Sequence, residues 1–368
     1  YYYDADILKK TINIVKDELK KYGFHQHYAV KANANRKILE IIASAGFGAD
    51  CVSGNEIKAA VNAGFPASKI VFAGVGKTDK EINLALDLNI FCFNVESLPE
   101  LEVINELAAK KGKTANIALR INPNVDAHTH EYITTGLSEN KFGISMEHIE
   151  GILDKMPKLN NLKLTGLHFH IGSQIEDISV FEPLCKQINL LQTVFYNRGI
   201  NIEVINVGGG LGIDYESPNE NPIADFASYF ALFNNHLQLK EGQSVHFEIG
   251  RAIVAQCGSL ITRVLYIKEG ETKNFAIVDA GMTDLIRPAL YQAYHKIENI
   301  SSDETEEEYD IVGPICESSD TFAKSYKMNR TKRGDFLAIR SAGAYGEIMA
   351  SQYNCRELPK AYMSDKIN

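Results

Sequence analysis

The sequence predicts an α/β chain: a (β/α)8 TIM-like barrel followed by a second, C-terminal all-β domain. Three observations predict it. Eight short apolar runs precede Cys257, at His25–Val30, Gly48–Val52, Ile70–Ala73, Ile90–Val95, Asn116–Ile121, Leu164–His170, Val204–Val207 and Val245–Ile249. Segments between them, such as Lys37–Ala45, Ser53–Ala63, Lys80–Leu86 and Ser97–Lys111, repeat apolar residues at spacings of three and four, the helical period. After Cys257 the texture changes, and Ile261–Ile267, Asn274–Val278, Tyr309–Val312 and Asp335–Ile339 read as strands with little helix between them. Near-continuous apolar strands alternating with helices describe a parallel sheet covered by helices, and eight such units close a barrel. An open doubly wound sheet is the alternative. The expected domains are 6–256 for the barrel and 1–5 plus 257–368 for the β-domain.

The bulk numbers agree. A chain of 368 residues is about right for two domains, and its 45% hydrophobic content permits sizeable cores. The formal net charge of −9, from 47 acidic and 38 basic residues, argues against a nucleic-acid partner. No apolar run approaches the roughly 18 residues of a membrane span, and no charged-then-apolar segment opens the chain. The first residue is Tyr1 rather than Met, so a few leading residues are expected to precede it. Cys51, Cys92, Cys185, Cys257, Cys316 and Cys355 form no CxxC pair, which disfavours a zinc site or redox dithiol and fits a reduced, cytoplasmic compartment. The acidic stretch Ser301–Glu308 reads as a solvated hairpin loop. The final "AYMSDKIN" stops where a closing strand is expected, as a trimmed terminus would.

In such barrels chemistry gathers at the carboxyl ends of the strands. Polar, ionisable or glycine residues end most of them: Lys31 after strand one, Asp50 and Ser53 at strand two, Arg120 in strand five, His168, His170 and Ser173 in "HFHIGS", the glycines of "NVGGG", and Glu248 and Arg251 in "FEIGR". Lys31 follows the uncharged strand "YAV". A lysine near apolar surface loses hydration, deprotonates more readily and becomes a nucleophile for a Schiff base. The alternative is a lysine that snorkels to water.

"VGGGLG", residues 207–212, allows backbone N–H groups close approach to an anion, or makes a tight turn. It is not a dinucleotide fingerprint, because the third glycine falls on Ile213. "GVGKT", Gly74–Thr78, is not a Walker loop, because Val71 stands where its first glycine is needed. Strand six is expected to bring only one of His168 and His170 to the barrel mouth. Asp126–Glu131, "DAHTHE", carries histidines in a polar loop, and no metal is expected there. Glu248 is a carboxylate inside an apolar strand and needs a cationic partner. Arg251 is one candidate and the protonated ring nitrogen of a cofactor is another. A nucleophilic lysine, a glycine cradle, a carboxylate and an aromatic-sized histidine together suit pyridoxal 5'-phosphate.

"YAVKAN", "GADCVSGNE", "LRINP", "TGLSENKFGI", "LHFHIGS", "NVGGGLGIDY", "FEIGR", "VDAGMTDLIRPALY", "GPICES" and "AGAYG" run in order along nearly the whole chain. Together they resemble the fold-type III pyridoxal-phosphate-dependent decarboxylases. The resemblance implies a barrel plus a β-domain, and a homodimer with shared sites. It implies that Lys31 holds the cofactor covalently and that His170 stacks on its ring. Ser173, Gly209, Gly210, Gly250 and Arg251 would surround the phosphate, with Tyr345 touching it or nearby substrate. Glu248 would pair with the ring nitrogen, and Asp50 and Arg120 would support the lysine and the ring. Cys316 and Glu317 would reach a neighbouring subunit's site, and Cys316 or Lys31 would return a proton to Cα.

Arg287 and Tyr291 in "LIRPALY" suit a second carboxylate on the substrate. Arg251 and Tyr345 are also expected there, and Glu317 would meet a distal ammonium. The motifs most resemble the members acting on meso-2,6-diaminopimelate, with carboxynorspermidine or ornithine as alternative substrates and a non-catalytic partner-binding homologue as another. Three positions depart from the family pattern: Ile249 for proline, Ser319 for glycine, and Glu347–Ile348 after "AYG".

Overall fold

The computed structural model describes residues 1–125 and 141–366. It divides into two compact units, one of Ile12–Gly212 and Asp225–Gly250, the other of Tyr1–Thr11, Ile213–Ala224 and Arg251–Asn368. The segment Ile213–Ala224 therefore groups with the second unit. Residues Asp126–Glu131 lie outside the described residues.

The first unit is a closed barrel. Its strands are His25–Ala29, Gly48–Cys51, Ile70–Phe72, Cys92–Val95, Ala115–Asn122, Leu162–His168, Val204–Asn206 and Ser244–Phe247. Each pairs in parallel with the next, and the last pairs with the first through His246 opposite His25. All eight sequence-read strands are present, with ends that differ from the reading by no more than two residues; strand five, Ala115–Asn122, is longer than read, and strand six, Leu162–His168, is shifted by two. Strand one stops at Ala29, and Lys31 sits on a short 3-10 turn, Val30–Ala32.

Five of the helices that follow strands start at a side-chain cap. Asn35 accepts from the N–H of Lys37, Ser53 from Glu56, Ser97 from Glu100 and Asp225 from Ser228, while Thr78 and Glu81 form a reciprocal capping box. The period of two along the last strand sends Phe247 one way and His246 and Glu248 the other. Phe247 packs edge-on against Phe230 of helix Phe226–His236, with ring centroids 4.8 Å apart. That aromatic contact keeps the carboxylate of Glu248 turned into the barrel.

The second unit is a mostly antiparallel sheet in the order Ile297–Asn299, Phe336–Ile339, Gly258–Glu269, Asn274–Val278, Glu306–Val312 and Thr321–Asn329. The pairing of Asn274–Val278 with Glu306–Val312 is parallel. Two expectations are corrected. Only Ser301–Thr305 of the acidic stretch is a loop; Glu306–Glu308 belong to a strand, where pairing with Thr321–Asn329 and an ion pair from Glu307 to Arg330 (3.4 Å) override the poor strand propensity of glutamate. The end of the chain does carry a short strand, Tyr362–Met363, parallel to Tyr2–Tyr3. Among the described residues no helix is long and apolar enough to cross a membrane.

Candidate active site

The barrel places a charged centre at the carboxyl ends of its strands. Glu248 is buried, and its partners come from three other strands. Oε1 accepts from Asn94 Nδ2 (2.8 Å) and Asn206 Nδ2 (2.7 Å), and Oε2 bonds His168 Nε2 (2.8 Å). Arg251, the protein partner suggested by the sequence, is instead bonded to Tyr215. Burial pushes the Glu248 carboxyl up, but the adjacent His168, by charge and hydrogen bond, outweighs it and holds the group well below the usual carboxylate range.

Asp50 is the opposite case. It is buried in strand two, and its Oδ1 has no hydrogen-bond partner among the described residues. Burial first, then the charge of Glu248, pushes its carboxyl well above the ordinary value. The charge of Lys31, whose Nζ lies 3.9 Å from Oδ2, opposes this without reversing it. Two neighbouring carboxyls are thus driven apart: Glu248 is shifted toward the charged form and Asp50 toward the protonated one.

His168 and His170 serve the same centre, which overturns the expectation that only one would. Residues two apart in a strand share a face, and here the strand ends at His168. His170 Nδ1 accepts the Gly209 N–H at 3.3 Å, which leaves its proton on Nε2. Burial, then the charges of Lys31 and Arg120, push its pKa well below the ordinary value, so the ring is neutral.

Arg120 is held by Glu96, NH1 to Oε1 at 2.8 Å, and lies over the Phe142 ring at 4.7 Å. Glu96 Oε2 also accepts the Gly143 N–H at 2.8 Å. His168 was noted in the sequence without a role; Asn94, Glu96 and Asn206 were missed. All four lie at or just past strand ends, so the strand-end rule applied to every strand finds them.

The glycine loop after strand seven cannot accept side chains. A Cβ on Gly209 would lie 2.4 Å from the Glu248 carbonyl oxygen, and one on Gly210, at φ +111°, would lie 2.9 Å from that of Gly172. A Cβ on Gly250 would lie 2.9 Å from those of Ala29 and Ala32. Bare backbone, a neutral histidine ring, a lysine at the rim and an ionised buried carboxylate fit pyridoxal phosphate. Ser173 is half-buried, five residues beyond the end of strand six. At the Ile249 departure the backbone carbonyl accepts Gln26 Nε2 at 3.0 Å.

The second unit groups two predicted substrate residues around a residue the sequence reading missed. Arg251 NH1 and Arg287 NH1 both donate to the Tyr215 hydroxyl, each at 2.8 Å. Arg251 also lies over the Tyr345 ring at 4.9 Å. Arg287 and Tyr291 are the first and last residues of a short helix. Cys316 and Glu317 sit on an exposed loop anchored by buried Asp320, which accepts the N–H groups of Ile315 (2.7 Å) and Met282 (2.6 Å). Glu317 accepts from the Tyr353 hydroxyl at 2.7 Å. Of the departures, Ser319 Oγ lies 3.9 Å from Met282 Sδ, and Glu347 accepts from the Tyr3 hydroxyl at 2.6 Å.

Residues 5–255 match the family model for the pyridoxal-dependent decarboxylase, pyridoxal binding domain. A diaminopimelate decarboxylase of Bacteroides thetaiotaomicron is 63% identical over 368 residues, covering 100% of this chain and 95% of the relative. The solved diaminopimelate decarboxylase of Helicobacter pylori, complexed with L-lysine, superposes with a TM-score of 0.94 at 43% identity, covering 100% of this chain and 92% of that one. The M. jannaschii diaminopimelate decarboxylase, in co-complex with L-lysine, gives a TM-score of 0.92 at 37% identity, covering 99% and 86%. With the pyridoxal-binding model spanning the whole barrel and these relatives matching almost end to end, the chain belongs to the fold-type III pyridoxal-phosphate-dependent decarboxylase family.

Proposed function

We propose that this chain decarboxylates meso-2,6-diaminopimelate to L-lysine and carbon dioxide. What carries the reading is the 63% identity, over all 368 residues, with a diaminopimelate decarboxylase. The chemistry of the chain agrees. When bound, pyridoxal phosphate supplies an electron-poor ring that takes up the electron pair left by a departing carboxyl group.

Lys31 Nζ is the amine that holds the cofactor. Asp50, shifted toward its protonated form by burial and by Glu248, stands with Oδ2 3.9 Å from that amine. Glu248 retains lone-pair capacity beyond its three donors, which suits it to keep a proton on the ring nitrogen. His170, neutral and oriented by the Gly209 N–H, presents its face for stacking. The glycines of residues 208–210, with Ser173 and Gly250, leave room for the phosphate.

Arg251, Arg287, Tyr291 and Tyr345 receive the distal carboxylate, an end that ornithine lacks. Cys316 and Glu317, exposed on their loop, complete the site of a second copy in a homodimer, where Glu317 meets the distal ammonium. Cys316 or Lys31 returns the proton to Cα. The six free cysteines, four of them buried, suit a cytoplasmic enzyme.

Carbon dioxide release from meso-diaminopimelate, with ornithine as the control, tests the reading. Release from the first and not the second is expected; the reverse refutes it. Borohydride reduction followed by peptide mapping is expected to tag Lys31, and Lys31→Ala to lose both the tag and the visible absorbance band. A tag elsewhere refutes the assignment of the lysine.

A further inference from the structure

We propose that Tyr215 is a specificity-determining residue: its single phenol oxygen holds the Arg251 and Arg287 guanidiniums together, and its hydroxyl proton adds a donor to the site that receives the distal carboxylate of the substrate. The inference rests on the decarboxylase reading above and goes beyond it, because Tyr215 was given no role there.

The loop carrying Tyr215 is tied down locally. Asp214 Oδ1 accepts the N–H groups of Glu216 and Ser217, each at 2.8 Å, and its Oδ2 accepts Asn221 Nδ2 at 2.9 Å. The Tyr215 ring stands edge-on to His295, with centroids 5.1 Å apart at 81°. His295 Nδ1 gives its proton to the Arg340 carbonyl at 2.8 Å, so Nε2 must accept, and it takes Arg287 NH1 at 3.0 Å.

The donor count then points to a ligand. Arg287 NH1 carries two hydrogens, and Tyr215 and His295 take both. The other three N–H groups of Arg287 have no partner among the described residues, and no carboxylate there pairs with it, although the residue is only 6% exposed. A buried guanidinium without a counter-charge calls for an anion. The phenol oxygen has two lone pairs, and the two arginines occupy them. Its one proton has no acceptor among the described residues, so a carboxylate meeting Arg287 finds a hydroxyl donor beside it. Phenylalanine would keep the ring and lose both functions.

The ionisation of Tyr215 gives a separate handle. Burial raises the phenol, but the charges of Arg251 and Arg287 outweigh it and bring it below the ordinary tyrosine value. The donor is therefore lost as pH rises, earlier than for an ordinary tyrosine.

The test compares wild-type and Tyr215→Phe holoenzymes. L-lysine retains the distal carboxylate and 1,5-diaminopentane lacks it, so the two are used as competing ligands. For Tyr215→Phe, the KM for meso-diaminopimelate and the inhibition constant for L-lysine are expected to rise together, by about tenfold or more. The kcat should stay within about threefold, and the inhibition constant for 1,5-diaminopentane should not move. The wild-type KM should rise on the alkaline side, and the variant should lack that limb. Unchanged lysine affinity, or a parallel loss for 1,5-diaminopentane, overturns the proposal. If the wild-type enzyme releases no carbon dioxide, the decarboxylase reading fails, while calorimetric lysine affinity of the two proteins still decides the role of Tyr215.

Discussion

Replacing Lys77 by methionine tests how the barrel supports its charged centre. The Lys77 side chain is 1% exposed and that of Glu100 10%. Its ammonium donates to the carbonyls of Gly74 (2.8 Å) and Asn94 (2.8 Å) and to Glu100 Oε1 (2.5 Å). All three N–H groups are used, so the lysine of "GVGKT" is an internal brace between strands three and four. Methionine keeps the apolar stem and deletes the charge, leaving Glu100 buried beside the one backbone N–H it takes from Glu96 (2.8 Å).

Removing one partner of a buried pair costs about 3–5 kcal/mol. Burial already pushes the Glu100 carboxyl up, so protonation relieves part of this and the low end, about 3 kcal/mol, is expected. At about 2–4 °C per kcal/mol the Tm falls by about 6–12 °C. Thermal unfolding of the holoenzyme, followed by circular dichroism, measures it beside the Lys77→Met/Glu100→Gln double variant. The double variant leaves no uncompensated charge and should recover at least about 1 kcal/mol. Asn94 links the brace to the chemistry, because its carbonyl binds Lys77 while its side chain donates to Glu248. Well below the transition, kcat should therefore fall by less than about tenfold. A Tm change under about 2 °C, or a double variant no more stable than the single, refutes the reasoning.

Two further outcomes follow from the same centre. Glu248→Gln keeps the shape of the side chain and deletes its charge; kcat should fall by about 10²-fold or more in steady-state assays, and near-normal turnover would count against a proton-holding role. Stability should also depend on acid. His27 Nε2 and His246 Nδ1 bond at 2.7 Å, and His27 Nδ1 meets the Lys69 carbonyl at 3.0 Å, an arrangement satisfied by neutral rings. Burial lowers His27 to about 4 and takes His246 well below its ordinary value. The unfolded chain binds protons from about pH 6.5 downward and the native His27 does not until about 4, so stability is lost as pH falls through that window. At pH 5 His27 alone costs about 2 kcal/mol. Urea midpoints at pH 7.5 and 5 should differ less in His27→Gln than in wild type, and equal differences would rule out this origin.

The barrel was legible in the sequence because strands and helices are written in local periods, and caps such as Ser53, Thr78 and Ser97 stand next to what they cap. Lys31, Asp50, Arg120, His170 and Glu248 could be singled out because strand ends in a parallel barrel face one mouth. The partners of those residues were not legible. Glu248 takes bonds from residues 42, 80 and 154 positions away, and which asparagine or histidine meets it depends on the register in which eight strands close. The same holds for Arg251, whose charge suggested Glu248 three residues earlier and whose fold supplied Tyr215, 36 residues earlier. Sequence alone determined the residue types and the end of the barrel on which they gather. Only the tertiary structure decided which carboxyl is shifted toward the charged form and which toward the protonated one, because burial and neighbouring charge act through space and not along the chain.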